Sequence, residues 1–86
     1  MRVVVVYKQR TDYTRQVEDF MADFKRFNGR DLETIDPETR DGVGFCTTYD
    51  IVEYPTIIAL SDSGQMQHMW RGLPLPTMNE ISYYVR

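Results

Sequence analysis

The sequence predicts a small α/β domain, a four-stranded mixed sheet flanked by three helices in the order β-α-β-α-β-β-α. Three observations carry this. Residues Arg2 to Tyr7 (RVVVVY) are a nearly unbroken β-branched run, as expected of a strand covered on both faces. Tyr13, Val17, Phe20, Phe24 and Phe27, with Met21 beside them, recur every three or four residues, which marks one stripe of a helix. A second buried run, Thr56 to Leu60 (TIIAL), is followed by Asp62-Ser63-Gly64 and a further strand at Gln65 to Arg71, so the last two strands form an antiparallel hairpin.

The remaining elements follow in order. Asn28 and Gly29 end the first helix. Asp31 to Ile35 (DLETI) alternates charge with apolar or β-branched residues, as a short edge strand does, and its Asp31 and Glu33 discourage pairing with another chain. Asp36-Pro37-Glu38 predicts a helix start with Asp36 as N-cap and Pro37 at the first helical position; Gly42 and Gly44 weaken its first turns, which leaves Val43 to Tyr49 as the well-formed part. Thr77-Met78-Asn79-Glu80 is a capping box that opens the last helix, whose core stripe is Met78, Ile81 and Val85. Right-handed crossovers then put helices on both faces of the sheet.

At 86 residues, the chain has room for one domain, 1–86, around one modest core. Its 42% hydrophobic and 27% charged residues, with no low-complexity run, fit a globular chain. The longest apolar stretch, Val3 to Tyr7, is too short to span a bilayer or to serve as a secretory signal, so a soluble cytoplasmic protein with no membrane partner is expected. One cysteine, Cys46, cannot form an internal disulfide, and one Cys with one distant His (His68) makes no metal-ligand set. A net charge of −3 argues against nucleic acid as a partner. Its distribution is uneven: residues 1–30 carry seven Lys or Arg against four Asp or Glu, whereas residues 31–86 carry three against nine.

Tyr49-Asp50-Ile51-Val52-Glu53-Tyr54-Pro55-Thr56 resembles the stretch of thioredoxins that runs from the second helix through an invariant cis-proline into the third strand. Pro55 belongs at the first position of that strand, where a missing N–H is tolerated. Ser63-Gly64 resembles the hairpin turn of the family and Gly72 the glycine that closes its fourth strand. The ordered set spans Arg2 to Val85 and identifies the chain as similar to a minimal thioredoxin or glutaredoxin-like domain. By this resemblance Thr11-Asp12-Tyr13-Thr14 stands where redox members carry Cys-x-x-Cys. A threonine hydroxyl has no anionic form near neutral pH and no sulfur to exchange, so the site is expected to be redox-inactive.

Thr11 or Asp12 is then expected to cap the first helix. Lys8, Arg10 and Arg15 flank its start, and Lys8 and Arg10 are candidate anion contacts; Lys8 resembles the lysine that glutaredoxins place before their first cysteine. The rest of the glutathione signature, a Thr-Val-Pro and a Gly-Gly-x-x-Asp, is absent, so glutathione is not an expected partner and no cofactor is expected. In the family the backbone beside the cis-proline pairs with an extended peptide, a mode that requires no cysteine. Tyr13, Tyr54 and Trp70 are candidates to line that groove. His68 and Trp70 share one face of their strand by period two.

Three readings stay open. The first is a binding module for a protein or peptide, using Thr11, Asp12, Tyr13, Thr14, Tyr54 and Pro55. The second is a thioredoxin or glutaredoxin-family redox protein acting through Cys46, set against Cys46 as buried filler of the second helix. The third is self-association, with the chain between monomer and weak homodimer.

Overall fold

A computed structural model describes residues 1–85. At its centre, β1 (Arg2–Val6) pairs in parallel with β2 (Glu33–Ile35) on one side and antiparallel with β3 (Thr56–Leu60) on the other. β4 (Met66–Arg71) lies antiparallel outside β3, giving a four-stranded mixed sheet in the order β2-β1-β3-β4. Side chains alternate across a strand, so β1 divides its valines between two cores. Val3 and Val5, followed by Tyr7, enter one core; Val4 and Val6 enter the other. Every residue of β3 is buried, which is why both strands read as continuous apolar runs.

Helices α1 (Thr14–Asn28) and α3 (Met78–Tyr84) cover the first face, where Val17, Phe20, Phe24 and Ile81 pack on Val3, Val5, Ile57 and Ala59. Helix α2 (Arg40–Tyr49) covers the second, where Cys46 and the following Ile51 pack on Val4, Val6, Ile58 and Leu60. Complete burial of side chains such as Phe24 and Ile81 contributes roughly 1.5–3 kcal/mol each. The capping box is formed in full: Thr77 Oγ1 accepts from the Glu80 N–H at 3.2 Å, and Glu80 Oε1 accepts from the Thr77 N–H at 3.1 Å. Gly29 ends α1 in the left-handed region, φ 79°, with its N–H donated to the Lys25 carbonyl.

Four expectations need correction. The N-cap of α2 is Thr39, not Asp36: Thr39 Oγ1 accepts from the Gly42 N–H at 3.0 Å. Asp36 forms a turn before it, where its side chain accepts from the Glu38 N–H and its carbonyl from Thr39. That turn folds back so closely that a Cβ on Gly42 would lie 1.9 Å from the Asp36 carbonyl oxygen. Strand two is shorter than 31–35, because only Val4, Val5 and Val6 offer partners, to Glu33, Thr34 and Ile35. Neither Thr11 nor Asp12 caps α1; the N-cap is Tyr13, without a side-chain cap bond, and the Thr11 hydroxyl is engaged within the preceding loop. Phe27, in the last turn of α1, is exposed rather than part of the core stripe. Among the described residues no helix is long and apolar enough to cross a membrane.

Candidate functional site

The loop from β1 to α1 is closed by hydrogen bonds of its own side chains. Thr14 Oγ1 donates to the Lys8 carbonyl at 2.7 Å and accepts from the Thr11 N–H at 2.9 Å. Because its only proton is committed, the 2.8 Å contact between the two hydroxyls is a donation from Thr11 to Thr14. The Tyr13 hydroxyl accepts from the Lys8 N–H at 3.0 Å. Arg10 occupies the left-handed region, φ 58°, at the tip of the loop. Arg10 and Asp12 are exposed and make no ion pair among the described residues.

The opposite wall is the segment entering β3. The Tyr54–Pro55 peptide is cis, as is Leu73–Pro74. Pro55 is buried, and its carbonyl accepts from the Gly72 N–H at 2.8 Å, so the end of β4 braces it. Gly72 has a left-handed φ of 65°, a conformation that favours glycine. The Thr56 hydroxyl ties the segment further by donating to the Glu53 carbonyl at 2.7 Å. Among the described residues, the Tyr54 backbone N–H and C=O join no hydrogen bond.

The two walls meet at Lys8, whose Nζ lies 5.0 Å from the centroid of the Tyr54 ring. Such a contact is attractive because the ring face carries negative potential. Burial pushes the Tyr54 phenol above its ordinary pKa, helped by the neighbouring Cys46 thiol and by Tyr13. The phenol is therefore neutral at physiological pH and serves as a hydrogen-bonding group and apolar surface. Beside it lies a cavity of about 360 Å³, lined by Val43, Cys46, Thr47, Ile51, Val52 and Tyr54 among others. Cys46 is buried, with 7% of its surface exposed.

Of the residues singled out from sequence, Lys8, Thr11, Tyr13, Thr14, Tyr54 and Pro55 are brought to one end of the sheet. Trp70 is not in this groove. Its strand position puts it on the α1/α3 face, where its ring packs at 4.4 Å from His68 and 5.5 Å from Tyr84, centroid to centroid. Sequence reasoning found the His68/Trp70 pair but missed its partners Tyr84 and Glu80. The adjacent Tyr83-Tyr84 in a helix that packs on the same face was the available signal, and Glu80 was hidden by its role in the capping box.

The fold has solved counterparts. Thioredoxin 1 from the thermophilic eubacterium Thermosipho africanus superposes with a TM-score of 0.67 at 12% identity, over 99% of this chain and 90% of that one. A structure described as that of a malarial protein superposes equally well, with a TM-score of 0.67 at 12% identity, over 96% of this chain and 90% of that one. The chain thus has a thioredoxin-like fold. No protein-family model and no curated protein sequence matches it.

Proposed function

We propose that this thioredoxin-like chain is a redox-inactive binding module that takes an extended protein or peptide segment in the groove between the Thr11–Thr14 loop and Tyr54-Pro55. The observation that carries this reading is the Tyr54 backbone, whose N–H and C=O are left without partners beside Pro55. Tyr54 lies in the bend just before β3, and unpaired backbone groups at such a place are open to an incoming extended segment, as in strand addition. Tyr13 and Lys8 hold the facing wall, and the cavity beside Tyr54, lined by Val43, Ile51 and Val52 together with Thr47 and Asp50, offers a socket of mixed polarity to a ligand side chain. With one cysteine, and that one buried, the chain has no dithiol pair to exchange.

Peptides selected by display against the folded protein test this. Binding of the best of them, followed by fluorescence polarisation, should weaken at least tenfold on Tyr54→Glu, equivalent to about 1.4 kcal/mol. A variant that stays folded and binds as wild type overturns the groove. A Cys46→Ala protein is expected to bind normally, and loss of a disulfide-reducing activity on that change would favour the redox alternative instead.

A further inference from the structure

On the face opposite α2, β4 and α3 together build a second, independent recess. His68 and Trp70 project from the same face of β4, and Tyr83, Tyr84 and Glu80 come from α3; these five line a cavity of about 230 Å³. The Trp70 and Tyr84 rings meet nearly edge to face, at 78°, and Tyr83 and Tyr84 at 82°, so the recess is an angular corner of ring faces and edges. His68 stacks on Tyr84 at 5.7 Å and tilts against Trp70. Among the described residues the only carboxylate in the lining is Glu80, and the hydrogen bonds it accepts, led by those from Thr77, hold it below the usual carboxylate range. Arg71, the basic residue of β4 next to Trp70, points away by strand alternation, and its Nε contacts the Met69 sulfur instead. An aromatic corner with one fixed negative charge is complementary to an organic cation.

The hydrogen bonding narrows the cation. Glu80 Oε1 already accepts from the Thr77 N–H and hydroxyl, and Oε2 from Trp70 Nε1 at 3.2 Å. A guanidinium seeks both carboxylate oxygens in a bidentate fork, and a primary ammonium brings three donors that need acceptors. Here three of the roughly four acceptor sites of the carboxylate are filled, Oε1 completely, so a bidentate fork finds one oxygen closed and an ammonium finds an acceptor for one of its three donors at most, while the charge remains. A quaternary ammonium has no N–H to satisfy and needs only ring surface and a nearby anion. We propose that the Trp70–Tyr84–Glu80 recess is a binding site for a trimethylammonium group, carried on a methylated lysine side chain or on choline.

Trp70 is the single tryptophan of the chain, so its fluorescence reports on the recess directly. Titration with tetramethylammonium should give a saturable change in that emission. The affinity should fall roughly two- to fivefold on Tyr84→Leu, the factor expected for one exposed cation–aromatic contact. Glu80→Gln should weaken it comparably; this variant keeps the capping box, since glutamine serves at that position, and so separates lost charge from lost folding. The neutral isostere 3,3-dimethyl-1-butanol should bind more weakly than choline. Choline and a peptide containing trimethyl-lysine are then compared as competitors, and the tighter one identifies the carrier. The proposal is overturned by an emission that does not saturate, by a neutral isostere as good as choline, by wild-type affinity in both variants, or by failure of both carriers to compete.

Discussion

Thr11 and Thr14 show how a loop that lacks thiols keeps its shape. Three hydrogen bonds converge on Thr14 Oγ1, from the Thr11 N–H, from the Thr11 hydroxyl, and to the Lys8 carbonyl. A hydroxyl pair at 2.8 Å turns the two side chains toward each other, the orientation a disulfide needs, and the bond forms where their Cβ atoms come to about 3.8 Å. The double substitution Thr11→Cys/Thr14→Cys should therefore oxidise with glutathione disulfide to an internal bond between the introduced thiols. Intact mass would show the loss of two hydrogens, and persistence of both free thiols would contradict the loop geometry. In the reduced state the same variant should be about 1–3 kcal/mol less stable than wild type, because sulfur replaces the oxygen at the centre of these bonds.

Helix α2 contains two glycines with opposite consequences. A Cβ at Gly42 would collide with the Asp36 carbonyl oxygen at 1.9 Å and with Thr39 Oγ1 at 2.9 Å, whereas one at Gly44 meets nothing within 4 Å. Gly42→Ala should thus destabilise by about 1–3 kcal/mol, as overpacking does, and Gly44→Ala should stabilise by roughly 0.5–1 kcal/mol through helix propensity. Urea midpoints measured side by side check the pair, and a common sign would refute the placement of the Asp36 turn. That turn is also where sequence reading misplaced the helix start. Asp36 and Thr39 are both good N-caps, and only the approach of the Asp36 backbone to Gly42, a tertiary fact, selects Thr39. The capping box at Thr77 was legible because both partners lie within four residues and no distant group competes.

Among the described residues, two carboxylates are held below their ordinary value of 4.5: Glu33, chiefly through its hydrogen bond from Arg2 at 2.9 Å, and Glu80 at the start of α3. A folded-state pKa below the unfolded one adds stability that is present in full above the unfolded value and is lost as pH falls through the folded one. The denaturation midpoint should therefore drop as pH falls below about 4.5, and Glu33→Gln should flatten that drop. Both partners of the Arg2–Glu33 pair are about half exposed, so its removal should cost no more than about 1 kcal/mol at neutral pH and less in high salt. An unchanged pH profile in the variant would show the pair to be inert.

At this scale most of the architecture was legible, since the valine run, the helical stripe and the hairpin signals each depend on local pattern and agree with one another. The site was legible only in part. Tyr54 and Pro55 were found through a contiguous motif, but the position of Trp70 was not, because which face of the sheet a side chain takes depends on the pairing of Ile57 with Trp70 and on what α3 brings to that face.

The run Val3–Val6 puts the same residue on both faces of the central strand. In an alternating strand a slip of one position exposes apolar groups and is rejected; here it merely trades valine for valine. The identity of the correct alignment is consequently stored outside the run, at its two ends. Arg2 reaches Glu33 at one end, and at the other the Tyr7 N–H meets the Ile35 carbonyl at 3.2 Å while its ring enters the core. The strand behaves as an unmarked ruler between two stops, so substitutions at Arg2 and Tyr7 bear on which pairing the chain selects, while exchanges within the run bear on how tightly it packs.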